Sequence, residues 1–141
     1  MDLFRAFKAF AEWRRKRDEA AWKLFEGAKT SASAHGARFA DVVLIRQQAR
    51  TGSKAYVRWV ETGGEDAVWS EAVRLHKGQV LPLSGSRGHG RHHSEPVLYI
   101  HHVGPAVARR VYRGWARHEA RRVREGPKWL KPVGADDDAP F

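Results

Sequence analysis

The chain has 141 residues, with 26 Lys and Arg against 16 Asp and Glu, a net charge of +10. That length fits one domain with a modest core, and the excess of positive charge favours a polyanionic partner: DNA, RNA, an anionic membrane surface or an acidic protein. Six Trp and six Phe argue against a disordered basic tail, and the lack of cysteine excludes disulfides and thiolate metal sites.

Residues 2–26 read as an amphipathic helical arm. Leu3, Phe7 and Phe10 form one stripe, with Phe4 and Trp13 beside it. The run Arg14–Glu19 interrupts the apolar pattern, Ala21, Trp22, Leu24 and Phe25 restore it, and Gly27 is the expected stop. Packing onto the domain as ordinary core is the simplest role for this helix. A second role is docking on another subunit through Leu3, Phe4, Phe7, Phe10 and Trp13, which spread too widely for one narrow stripe. A third is lying in a membrane interface with the Arg14–Arg17 run on lipid phosphates. The third ranks last, because Glu12, Asp18 and Glu19 intrude.

Residues 27–38, GAKTSASAHGAR, are small and polar and read as a linker. Residues 39–126 follow as a β-rich domain that ends in a basic helix. The run Val42–Ile45 marks a first strand. In Lys54–Glu61, Ala55, Val57 and Trp59 alternate with Lys54, Tyr56 and Arg58. A turn at 62–66 leads into Ala67–Leu75, with Trp69, Val73 and Leu75 expected on one face, and the pair forms a hairpin. Gln79–Leu83 is a short strand that Pro82 pushes toward an edge. Residues 84–95, SGSRGHGRHHSE, read as a flexible loop, and Val97–Val103 as the last strand.

These short strands and tight turns predict an α+β fold, built on a small, strongly bent antiparallel sheet or barrel. The hairpin text AYVRWVETGGEDAVW resembles SH3-like and Tudor-like barrels, over about residues 40–103. That resemblance implies a fold and leaves function open.

The segment 105–124, PAVARRVYRGWARHEARRVR, is the strongest functional signal. It holds seven arginines against one acid, Glu119. Pro105 suits a first helical position. Arg109, Arg113, Arg117 and Arg121 recur every fourth residue and draw one ridge. Val107, Val111, Tyr112, Trp115 and Val123 make the expected buried side. Guanidinium groups suit phosphate because their planar forks donate paired hydrogen bonds and stay charged. The expected phosphate contacts are therefore Arg109, Arg110, Arg113, Arg117 and Arg121, with Arg87 and Arg91 of the preceding loop in support. Asn and Gln, which read adenine directly, are missing from this helix, so sequence-independent backbone contact is expected.

Other chemistry finds little purchase. His92, His93, His101 and His102 could meet as metal ligands only if the loop folded back, and the adjacent pair His101–His102 would point to opposite faces of a strand. A nuclease drawn from His101 or His102 with Glu95 and Arg109 has no spacing that demands it. No P-loop, nucleophile elbow or dinucleotide fingerprint is present. The expectation is a non-enzymatic protein without cofactor or metal that binds DNA or RNA backbones. The alternative is a structural component of a larger particle, such as a capsid, a head–tail connector or a ribonucleoprotein, using the N-terminal arm and the 127–141 tail for subunit contacts. The tail carries Trp129 and Leu130 as anchors and the acidic triplet Asp136–Asp138. The placement expected is cytoplasmic, or within a virion on the assembly reading, with membrane attachment not favoured.

Overall fold

A computed structural model describes residues 2–71, 73–88 and 96–126. Its elements are α1 (Leu3–Ala34), β1 (Arg38–Ala49), β2 (Gly52–Trp59), β3 (Glu65–Ser70), β4 (Val80–Gly88), β5 (Val97–Val103) and α2 (Arg109–Arg124). They fall into two compact units. One, the helical unit, takes residues 1–24 and the chain from 110 onward. The other, the barrel unit, takes Phe25–Arg109.

The barrel unit is a closed five-stranded barrel in the order β1-β2-β3-β5-β4, with β4 returning to β1. The fold is thus α+β with a small barrel, as the strand pattern predicts. One pair departs from the antiparallel rule: β3 and β5 run parallel, with Trp69 opposite Tyr99. β1 is long enough to pair with β4 at residues 38–41 and with β2 at residues 40–49. Register shifts at Val42/Leu44 and Ile45/Gln47 bend it, as bulges do where a barrel closes. Val42, Val57, Val68, Leu81, Leu83, Leu98 and Ile100 fill the interior with Ala40, Ala55, Trp59 and Leu75. A polar plug fixes Leu75: Ser53 Oγ donates to Gln48 Oε1 and accepts from the Leu75 N–H, and Gln48 Nε2 donates to the Leu75 carbonyl.

Three strand expectations change. β3 ends at Ser70 with Val68 inward, so Trp69 faces outward, Leu75 is buried from a loop and Val73 is 42% exposed. β4 continues through Ser84–Gly88, which read as a loop, because Ser86 and Arg87 find partners in Tyr99 and Leu98 of β5. Pro82 does not sit on an edge. It pairs with Phe39 of β1, and its carbonyl accepts from the Gly104 N–H.

The expected linker over 27–38 is instead the last part of α1, which runs to Ala34. Ala is the best helix former, and Ala28, Ala32 and Ala34 outweigh one glycine at position 27. The stop is Gly36, in the left-handed region at φ 74°. There the Ala37 N–H reaches the Ala32 carbonyl and the Gly36 N–H the Ser33 carbonyl, the paired bonds of a Schellman cap. The second helix starts later than the sequence suggests, at Arg109. Val107 is extended and bridges Val80, so Pro105 lies before the helix, not at its first turn.

In the helical unit, α2 packs on residues 17–24 of α1. Gly114 allows the approach: a Cβ there would meet the Ala21 Cβ at 2.8 Å. Trp115 and His118 are buried on α2, and His118 lies 5.4 Å from the Trp22 ring. The N-terminal part of α1 does not form core. Leu3, Phe4, Phe7, Phe10 and Trp13 are between 54% and 83% exposed. The tail residues 127–141, with Trp129, Leu130 and the acidic triplet, lie outside the described residues.

Candidate nucleic-acid interface

Strand alternation sets the outer surface of the barrel. With Ala55, Val57 and Trp59 inward, β2 turns Lys54, Tyr56 and Arg58 outward. The register then carries Lys54 to Trp69 on β3, Trp69 to Tyr99 on β5, and Tyr99 to Ser86 on β4. One row of side chains therefore crosses four strands, reading cation, indole, phenol, hydroxyl. Each of these residues is at least partly open to solvent. The indole lies against the β1–β2 turn, since a Cβ at Gly52 would come within 3.0 Å of Trp69 Cζ2. The Tyr99 ring covers Gly88, whose Cβ would stand 3.4 Å from Tyr99 Cε2.

Further groups flank the row. Gln47 pairs with Lys54, and the Arg46 guanidinium stands 5.8 Å from the Tyr56 ring centre. His101 Nε2 and Ser86 Oγ lie 2.8 Å apart. Contrary to strict alternation, His101 and His102 are both exposed, because the β4–β5 register shifts at Ser84/Gly85. Among the described residues no three metal-ligating side chains come together, and His89, His92, His93 and Glu95 lie outside them.

Arg87 keeps its expected exposure, but its Nη2 donates to Asp66 Oδ2 at 2.7 Å. Trp59 Nε1 donates to the same oxygen at 2.9 Å. Burial pushes the Asp66 carboxyl up, but those two hydrogen bonds, with the charges of Arg87 and Arg38, outweigh it and hold the group below its ordinary 3.8. The Asp66 hydrogen bond in turn raises Arg87 above its ordinary value. Arg91 lies outside the described residues, in the connection between β4 and β5.

The arginine ridge does not form one outward row. Arg109 Nη1 donates to Asp41 Oδ1 at 2.9 Å and to the Gly78 carbonyl at 3.0 Å, within the barrel unit. Arg117 places Nε and Nη2 on the Asp18 carboxylate at 3.0–3.3 Å, and Arg121 Nη2 reaches it at 3.4 Å. The Asp18 side chain is 1% exposed, and that of Arg121 only 16%. The Asp18 hydrogen bond raises Arg117, against a smaller opposing effect of burial. Of the five arginines of this segment expected to face phosphate, Arg110 and Arg113 are exposed and make no ion pair among the described residues. The apolar side is thinner than expected too: Trp115 is buried, Val111 and Tyr112 are half-buried, and Val123 is 78% exposed.

Beside this cluster Trp22, Glu119 and Arg122 form a second set of contacts. Trp22 Nε1 donates to Glu119 Oε1 at 2.7 Å and Arg122 Nη1 to the same atom at 3.1 Å, with the Arg122 guanidinium 4.7 Å from the Trp22 ring centre. Burial is the main reason the His118 imidazole titrates below 6.5. Arg121 and Arg122 push the same way, while Glu19 and Asp18 oppose them.

The outer row was within reach of sequence reasoning only in part. Tyr56 and Lys54 sit on the polar side of a visible alternation. The pattern groups Trp69 with Val73 and Leu75 on one face, and nothing local marks Tyr99 as its neighbour, because parallel pairing joins strands about thirty positions apart. No protein-family model, no curated protein and no solved structure matches the chain.

Proposed function

We propose that this protein is a non-enzymatic nucleic-acid-binding protein whose main binding surface is the outer face of the barrel. The row Lys54–Trp69–Tyr99–Ser86 carries the proposal. Partly exposed aromatic rings beside cations are what an unpaired base and its phosphate require: the ring stacks on any base, and the cation meets the backbone. Tyr56 with Arg46 repeats the combination next to it. On this reading single strands bind better than duplex, since paired bases hide their faces.

Five-stranded Greek-key barrels of the OB type bind oligonucleotides or oligosaccharides across strands 2 and 3 and through the 1–2 and 4–5 loops. The row here crosses β2 and β3, and Arg87 stands on β4 near its end. This is an analogy of architecture, and the residues of the row supply the chemistry. The second helix contributes phosphate contacts through Arg110 and Arg113, while its other ridge arginines serve the fold.

Fluorescence binding of labelled single-stranded and duplex oligonucleotides across salt tests the proposal. The expected result is tighter single-strand binding that weakens steeply with salt. Binding absent at low salt, or equal for both forms, contradicts it.

A further inference from the structure

Among the described residues, the first half of α1 is an apolar surface that nothing in its own unit covers. Leu3 is 83% exposed, Phe4 and Phe7 75%, Phe10 55% and Trp13 54%. At 100° per residue, Trp13, Ala6, Phe10, Leu3, Phe7, Ala11 and Phe4 follow one another around roughly half the helix. Such an arc is wider than the two-position seam by which one helix packs on another. The other half carries Arg5, Lys8, Arg15 and Lys16. From Asp2 to Arg17, six Lys and Arg stand against Asp2 and Glu12 alone.

Arg14 and Arg17 fall within the apolar arc, one turn beyond its aromatics. The Arg17 guanidinium lies 5.3 Å from the Trp13 ring centre, and Phe10 stands 5.7 Å from Trp13. The apolar arc is therefore bounded by cations along its polar side and at its C-terminal end.

We infer that residues 3–17 are an interfacial anchor for an anionic lipid surface. A wide aromatic and aliphatic face suits insertion to the depth of the acyl boundary, and the bordering cations then stand at the level of lipid phosphates. Charge complementarity selects this occupant over a second copy of the chain, whose own six cations would be brought against these. The helix lies on the bilayer and does not cross it: no helix among the described residues is long and apolar enough to span a membrane. Glu12 sits on the polar side among Arg5, Lys8 and Lys16, where it does not enter the apolar layer. Asp18, the acid next in sequence, is taken up by Arg117 and Arg121.

The test is co-sedimentation of the full chain with phosphatidylcholine vesicles, with and without phosphatidylglycerol, alongside single-strand binding and solution mass. Anionic vesicles should bind the chain at least about tenfold better than neutral ones, with the advantage reduced by salt. Phe7→Glu with Phe10→Glu should abolish vesicle binding and leave single-strand affinity unchanged. Phe7→Leu with Phe10→Leu, which keeps the arc apolar, should retain it. Three results overturn the inference: no binding to anionic vesicles, equal binding to neutral ones, or a dimer in solution that the double Glu variant converts to monomer. Loss of single-strand binding in that variant would also overturn it, because the helix would then be a nucleic-acid surface.

Discussion

In the barrel, apolar side chains fill the interior, and Lys54 and Arg46 stand outside it, in register with Trp69 and beside Tyr56. In the helical unit the arrangement is reversed: Arg121 and part of Arg117 turn inward onto a buried acid, and the aromatics in the first half of α1 face outward. The same residue type therefore has different work in the two regions. An arginine's function depends on where the nearest carboxylate lies, and in this chain Asp18 meets its partners across about a hundred positions of sequence.

Five expectations sharpen or break that contrast. The largest effect belongs to the apolar interior. Leu75→Ala, at a site with no exposure, should cost about 3–4 kcal/mol in denaturant unfolding. Asp18→Ala should cost about 2–3 kcal/mol by the same measurement, less than a fully buried pair because the Arg117 side chain is 41% exposed. If the Asp18 change proves neutral, charge does not hold the helical unit together.

Binding effects come next. Trp69→Ala should weaken single-strand affinity by about 1–3 kcal/mol, read by fluorescence titration, with duplex affinity little changed. Lys54→Ala should weaken binding to all sequences alike and lower the salt slope by about one. The smallest effect is a pH dependence from His118. Its folded-state titration is depressed, so the unfolded chain binds the proton first. Stability should be fully present above pH 6.5 and decline as pH falls below it. His118→Gln should flatten that part of a Tm-against-pH curve.

The fold was legible where a local period carried it. Alternation in Lys54–Trp59 marked the inward and outward sides of β2, and Val97–Val103 was bounded correctly. What escaped depended on distant partners. Ser84–Gly88 looks like a loop because its residues are small and polar, yet pairing with β5 makes it strand. Residues 27–34 look like a linker for the same reason, and helix continues through them to a cap four residues of text cannot announce alone. The arginine ridge was visible as a spacing, but a spacing cannot say which side meets an acid. At the candidate site, the basic character of the chain and Lys54 and Tyr56 could be seen beforehand. The joining of Trp69 to Tyr99 needed the parallel β3–β5 pair.

The central claim is that the barrel's aromatic row, and not the arginine ridge, dominates nucleic-acid binding. Its most direct test compares two double variants of the full chain in one salt titration with a labelled single strand. Trp69→Ala with Tyr99→Ala should reduce affinity at least about tenfold and remove the preference over duplex. Arg110→Ala with Arg113→Ala should cost less and act mainly on the salt slope. The opposite ranking, with the aromatic pair dispensable and the arginine pair essential, would contradict the account.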